Sequence, residues 1–129
     1  MDKLFTIETL TFSVLGGILL QLLGGMDTIL HGLIFLTVFD YFTGLAKAWK
    51  RKEINSRIGS HGLIKKAMIY LVIALSVETE KVLGNMVPLR ETIIMFYLAN
   101  EGISLLENIS EFIPLPDHFR EVFQQMRKK

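Results

Sequence analysis

Apolar residues gather in four long runs along the chain, and polar or small residues mark where each run stops. The run Thr28 to Ala46 is broken only by His31 and Asp40. As a helix it reaches about 28 Å, close to a hydrocarbon core of roughly 30 Å. The preceding segment, 6–23, is nearly as long, has Glu8 and Gln21 as its polar positions, and ends at the turn sequence Gly24-Gly25-Met26-Asp27. The third segment is shorter in charge-free length. A span over 63–83 requires Lys65 and Lys66 to snorkel at one end and the helix to continue past Glu78 and Glu80 at the other. The fourth segment, 92–109, carries Asn100, Glu101 and Ser104. Windows such as FSVLGGILLQLL and LHGLIFLTVF are apolar or small nearly all round, where a soluble helix keeps a polar face. The pattern predicts an all-α integral membrane protein of a single domain with four transmembrane helices. Three spans plus a first or last helix lying in the interface is the alternative, and a soluble bundle is the disfavoured reading.

Charge distribution orients that prediction. From Lys47 to Lys66 the chain has Lys47, Lys50, Arg51, Lys52, Arg57, Lys65 and Lys66 against Glu53 alone, and it ends in Arg127, Lys128 and Lys129. By the positive-inside rule, 47–66 is a basic cytoplasmic loop and 117–129 a short basic cytoplasmic tail, with both termini inside. The turn at Gly24 to Asp27 and the connection from Glu78 to Glu91 then fall outside, and they hold no cation and two cations (Lys81, Arg90) respectively. A cleaved signal peptide is not expected, because MDKLFTIETL sets Lys3 against Asp2 and Glu8 and no A-x-A follows.

Polar side chains inside the spans are the candidates for function. Lipid gives helices no hydrophobic reason to associate, so contacts depend on small residues and on polar groups that bond across helices. Asp40, Gly44 and Ala48 recur at i, i+4 and i+8, and Ser13, Gly17 and Gln21 do the same in the first segment. Along the fourth segment Asn100, Glu101, Ser104, Glu107, Asn108 and Glu111 form a polar strip. Ionised carboxylates at membrane depth face a bundle interior or water, so an isolated copy is expected to leave Asp40, Glu101 and Glu107 facing lipid until copies assemble. Asp40 has two readings: an internal anchor for Lys47 or a lysine of the basic segment, or a pore and assembly residue. His31 suits the outer interface better than a proton sensor, and Trp49 and Tyr97 suit interfacial positions.

Catalysis finds little support. The chain has no Cys, its three His are far apart, and no HExxH, GxSxG, P-loop or GxGxxG occurs. No enzyme activity, metal, cofactor or nucleic-acid partner is expected. A small transporter would need a midplane site and an internal repeat, and the two halves show no convincing similarity.

The order DYFTGLAKAWK, INSRIGSHGLIKK, FYLANEGISLLENI and IPLP resembles the phage holin family that includes the holin-like toxin-secretion proteins of clostridia. The resemblance covers about residues 28 to 125. It implies a protein of the bacterial cytoplasmic membrane that forms homo-oligomers among membrane lipid. At a programmed time these open lesions that release a peptidoglycan hydrolase (endolysin) as cargo, or alternatively a toxin. The family pattern falls on Asp40, Gly44 and Ala48, on Ser56, Gly59, Gly62 and Lys66 with Lys65 beside it, and on Glu101, Ser104, Glu107 and Asn108.

Overall fold

The computed structural model describes residues 2–128, without the side chains of Leu4, Arg127 and Lys128. The C-terminal cations Arg127, Lys128 and Lys129 named above therefore lie outside the described side chains. Five helices follow one another: α1 (Asp2–Leu22), α2 (Thr28–Lys50), α3 (Ser56–Val82), α4 (Leu89–Ser110) and α5 (Asp117–Lys128).

Local chemistry sets the boundaries. The α1 helix stops at Gly24 and Gly25, whose φ angles of 88° and 90° only glycine adopts freely, and the Gly25 N–H returns to the Leu20 carbonyl at 2.7 Å. Asp27 caps α2 by accepting the Leu30 N–H at 3.0 Å, and Asn55 caps α3 by accepting the Ile58 N–H at 2.8 Å. Because Asn55 starts α3 this early, the stretch 47–66 expected as a loop is helical at both ends. Only Arg51 to Asn55 connects α2 to α3. At the other end α3 closes on Gly84 and Asn85, both at positive φ, and Pro88 precedes α4. The stretch read as a tail, 117–129, is for the most part α5, entered through Pro114-Leu115-Pro116.

The α4 helix is the spine of the fold. It packs broadly on α2, then on α5 and α3, whereas α2 and α3 touch each other little. A cluster of Leu30, Leu33, Ile69, Ile73 and Ile94 forms the core, flanked by Leu20, Leu23, Tyr97 and Leu98 among others. The α1 helix joins this body only near its C-terminal end. No residue of its apolar window Phe5–Leu22 is buried.

The exterior is as apolar as the interior. Phe12, Phe42, Leu71 and Leu75 are all more than half exposed on α1, α2 and α3. Among the described residues, α1, α2 and α3 are long and apolar enough to cross a membrane. The α4 helix is long enough, at about 33 Å, but it carries Arg90, Glu91, Glu101 and Glu107. The fold is that of an all-helical membrane protein.

Gly24 offers a test of how the α1–α2 turn is built. A Cβ at Gly24 would strike the Arg90 side chain, whereas one at Gly25, at nearly the same φ, would meet nothing. Gly25→Ala should cost only the backbone strain, about 1–2 kcal/mol. Gly24→Ala should cost that and the Arg90 contact as well, seen as a larger fall in thermal stability in detergent and faster proteolysis at the turn.

Candidate functional site

Two polar clusters tie the α2–α3–α4 body together, one near the middle of the helices and one at the α1–α2 turn. At the first, Asp40 on α2, Lys66 on α3 and Glu101 on α4 converge: the Lys66 ammonium donates to Asp40 Oδ2 and to Glu101 Oε2. Asp40 and Glu101 are buried, and the Lys66 side chain is 17% exposed. The Asn108 side-chain nitrogen, one α4 face along, reaches the Asp40 carbonyl at 3.1 Å, Asp40 Oδ1 at 2.9 Å and Thr43 Oγ1 at 3.1 Å. Three helices are therefore tied at one point by charge-assisted hydrogen bonds, with two carboxyls to one ammonium. Among the described residues no buried side-chain nitrogen or oxygen lacks a partner.

Most of the polar positions singled out in the sequence meet here. Gly44 lies against Asn108, a Cβ there coming 3.6 Å from its side-chain nitrogen, and Ala48 is buried one turn on. Ser104 is half-buried and shares with Lys65, Lys66, Asn100 and Glu101 a groove of about 440 Å³ between α3 and α4. Lys65 itself is exposed. The Gly59 carbonyl accepts from the Tyr41 hydroxyl at 3.1 Å and Gly62 lies beside the same ring, so these glycines seat α3 on α2. Ser56 is exposed in the first turn of α3.

Other positions fall elsewhere. Glu107 is exposed and outside the cluster, and Glu111 pairs with Arg51. Ser13, Gly17 and Gln21 are exposed on α1, and the Ser13 hydroxyl bonds back to the Thr9 carbonyl at 2.8 Å. The expectation that an isolated copy presents Asp40 and Glu101 to lipid is overturned. Both are matched within the protomer by Lys66, because the Asn55 cap carries α3 far enough to bring its lysine inside.

The second cluster was not foreseen. The Arg90 guanidinium, at the start of α4, donates to the Leu23 carbonyl at 2.6 Å, to the Gly25 carbonyl at 3.0 Å and to Asp27 Oδ2 at 2.7 Å. Its backbone N–H donates to Glu80 Oε1 at 2.8 Å. Arg90 thus clasps the α1–α2 turn and the α3 end to α4. Its guanidinium bond to Asp27 holds that carboxyl below its ordinary value, with partial burial opposing and the Leu30 N–H assisting. The sequence signal was Asp27 standing two residues after the Gly24-Gly25 pair as a helix cap, with Arg90 two residues after Pro88 as the cation in reach.

Comparison with known proteins adds the family. The bacteriophage holin family model matches residues 17–128, which include both polar clusters and α5 and omit most of α1. The chain belongs to the bacteriophage holin family. It is 35% identical over 117 residues to an uncharacterized protein of Clostridium perfringens, with 89% of this chain and 87% of that one covered. It is 37% identical over 101 residues to an uncharacterized protein of Listeria monocytogenes, covering 77% and 72%. A probable holin of Bacillus phage phi105 is 33% identical over 79 residues, covering 61% of this chain and 58% of that one. No solved structure matches the chain.

Both clusters generate measurable outcomes. Lys66→Met leaves two buried carboxyls without their cation and should cost about 3–5 kcal/mol. Adding Asp40→Asn and Glu101→Gln should restore much of that loss, as thermal unfolding in detergent would show. At the α1–α2 turn, the folded-state pKa of Asp27 lies below the ordinary 3.8. Its contribution is complete above that value and is lost as pH falls through the lower, folded value. Asp27→Asn should therefore flatten the acid limb of the stability profile in that window and leave its shape near neutrality unchanged.

Proposed function

We propose that this protein acts as a holin in the bacterial cytoplasmic membrane, assembling with copies of itself and opening lesions that pass a peptidoglycan hydrolase to the cell wall. What supports this reading most is the way an apolar exterior encloses two carboxyls that share one ammonium. A copy with its carboxyls internally paired is compatible with lipid and can accumulate without harm, which a delayed lesion requires.

In this reading α4 crosses the membrane as the fourth span, its Glu101 covered between α2 and α3, with both termini cytoplasmic. The cations Lys47, Lys50, Arg51, Lys52, Arg57 and Lys65 then gather at the cytoplasmic boundary. The role is pore formation rather than catalysis. Assembly engages surfaces the protomer leaves without a protein partner: the Ser13, Gly17 and Gln21 stripe of α1 and the exposed Glu107 of α4. The Asp40–Lys66–Glu101 tie sets how readily α3 parts from α4, and so when the lesion opens. With both carboxyls ionised the tie carries one net negative charge. Moving a full charge across 100 mV is worth about 2.3 kcal/mol, so a membrane potential biases assemblies of several copies.

Co-expression with a peptidoglycan hydrolase that lacks its own export route tests the function. Turbidity should collapse after a delay only when both proteins are present. Glu101→Gln removes one of the two bonds from Lys66 and should bring lysis earlier; an unchanged lysis time would remove the tie from the timing mechanism. Vesicles that lose small solutes but retain a folded protein would instead identify a small channel.

A further inference from the structure

The α5 helix packs on α4 at a depth that does not suit its composition. Phe123 lies against Gly102 so closely that a Cβ there would strike its ring. Gly102 is eight residues before Ser110, so α5 reaches back along α4 by about 12 Å from its end. That end is fixed at the basic boundary, where Lys50 and Arg51 bond to Glu111. Beyond Phe119, Val122, Phe123 and Met126, α5 consists largely of Asp117, His118, Arg120, Glu121, Gln124 and Gln125. In lipid, such a helix beside a membrane-spanning α4 turns charged and amide side chains toward acyl chains, a costly position.

The described contact that holds it there is apolar, the Phe123 ring against Gly102. Among the described residues, no side-chain hydrogen bond or ion pair joins α5 to α1, α2, α3 or α4, and its one ion pair, His118 with Glu121, is internal. It is entered through Pro114-Leu115-Pro116, where both prolines lack a backbone donor. Phe112, Ile113, Phe119 and Val122 remain 49%, 55%, 55% and 43% exposed around it. This apolar edge is equally suited to the headgroup boundary, where amphipathic helices settle.

Beneath α5 is a face of α4 that differs from the one bearing Glu101 and Asn108. Gly102 meets Phe123 there, and Ala99, Ile103 and Leu106, three or four positions from it or from one another along the helix, are buried as well. Two small residues and two aliphatic ones without a polar group make a surface on which another helix can approach closely. We propose that α5 and a second copy of this chain compete for that face. Packed on α4, α5 keeps copies apart; released to the cytoplasmic lipid surface, it sheds its mismatch and opens α4 to a neighbour. The proposal rests on the self-assembly inferred above and adds where the copies meet and what withholds the contact.

The chain has no cysteine, so the competition can be read directly by cross-linking. A single Ile103→Cys substitution, in vesicles of phosphatidylglycerol and phosphatidylethanolamine, should form inter-copy disulfides slowly. Adding Phe123→Ala should make them form several-fold faster. A second variant, Gly102→Cys with Phe123→Cys, places one thiol on each side of the contact between Gly102 and the Phe123 ring. Oxidation should lock α5 and abolish release of an entrapped folded protein, and reductant should restore it. Equal cross-linking rates with and without Phe123→Ala, or release that occurs and is equal from locked and reduced vesicles, would overturn the competition. If unaltered protein releases nothing while Phe123→Ala still speeds cross-linking, the holin reading fails and the competition stands.

Discussion

A charge enclosed by apolar helices has to find its counter-charge there, and Lys66 meets this demand for two helices at once. Its stem leaves α3, and its ammonium sits between a carboxyl of α2 and a carboxyl of α4. Much of the fold is arranged around that meeting. Asn108 approaches α2 beside Gly44 and bonds to both the side chain and the backbone of Asp40. Tyr41 braces the start of α3 at Gly59, which fixes the turn from which Lys66 projects. Without the short α2–α3 connection capped by Asn55, the lysine would lie outside the bundle.

The α4 helix gives the arrangement its shape. Both polar clusters depend on it, one through Glu101 and Asn108 and the other through Arg90, and α2 and α3 are held together mainly through it. The pair Thr37 and Tyr70, 2.6 Å apart, is among the few direct links between those two helices. Toward lipid, a groove of about 430 Å³ opens between them, lined by Val38, Phe42, Leu63 and Ala67 among others. Mixed polarity in α4 is therefore a consequence of its central place. A helix surrounded on several sides by protein can carry groups that a lipid-facing helix cannot.

How much of this could be read from the chain depends on the range of each interaction. The Asp40, Gly44 and Ala48 face follows from spacing along one helix, and it does meet another helix. The partner of Asp40 was narrowed to Lys47 or a lysine of the basic segment. The answer, Lys66, depended on recognising Asn55 as a cap, which converts an apparent loop into eleven further helical positions. Strip periodicity in α4 grouped Glu101 with Glu107, but one faces inward and the other outward, because six residues turn a helix to about 240° from the starting face. Arg90 read as a loop cation, since its partners lie more than sixty positions away. The α5 helix was passed over as a tail because its average composition is polar. Its Phe119, Val122, Phe123 and Met126 already showed a helical spacing.

The order of the helices bears on how such a protein can enter a membrane at all. Synthesis proceeds from the N-terminus, so α2 and α3 emerge before α4 exists. At that stage Lys66 already has Asp40 within reach, one cation to one carboxyl, and the hairpin can enter the bilayer as a neutral pair. Glu101 comes later, to a site whose ammonium is in place. The chain thus never has to carry an unmatched lysine through hydrocarbon, and the last charge to be buried arrives on the helix that closes the bundle.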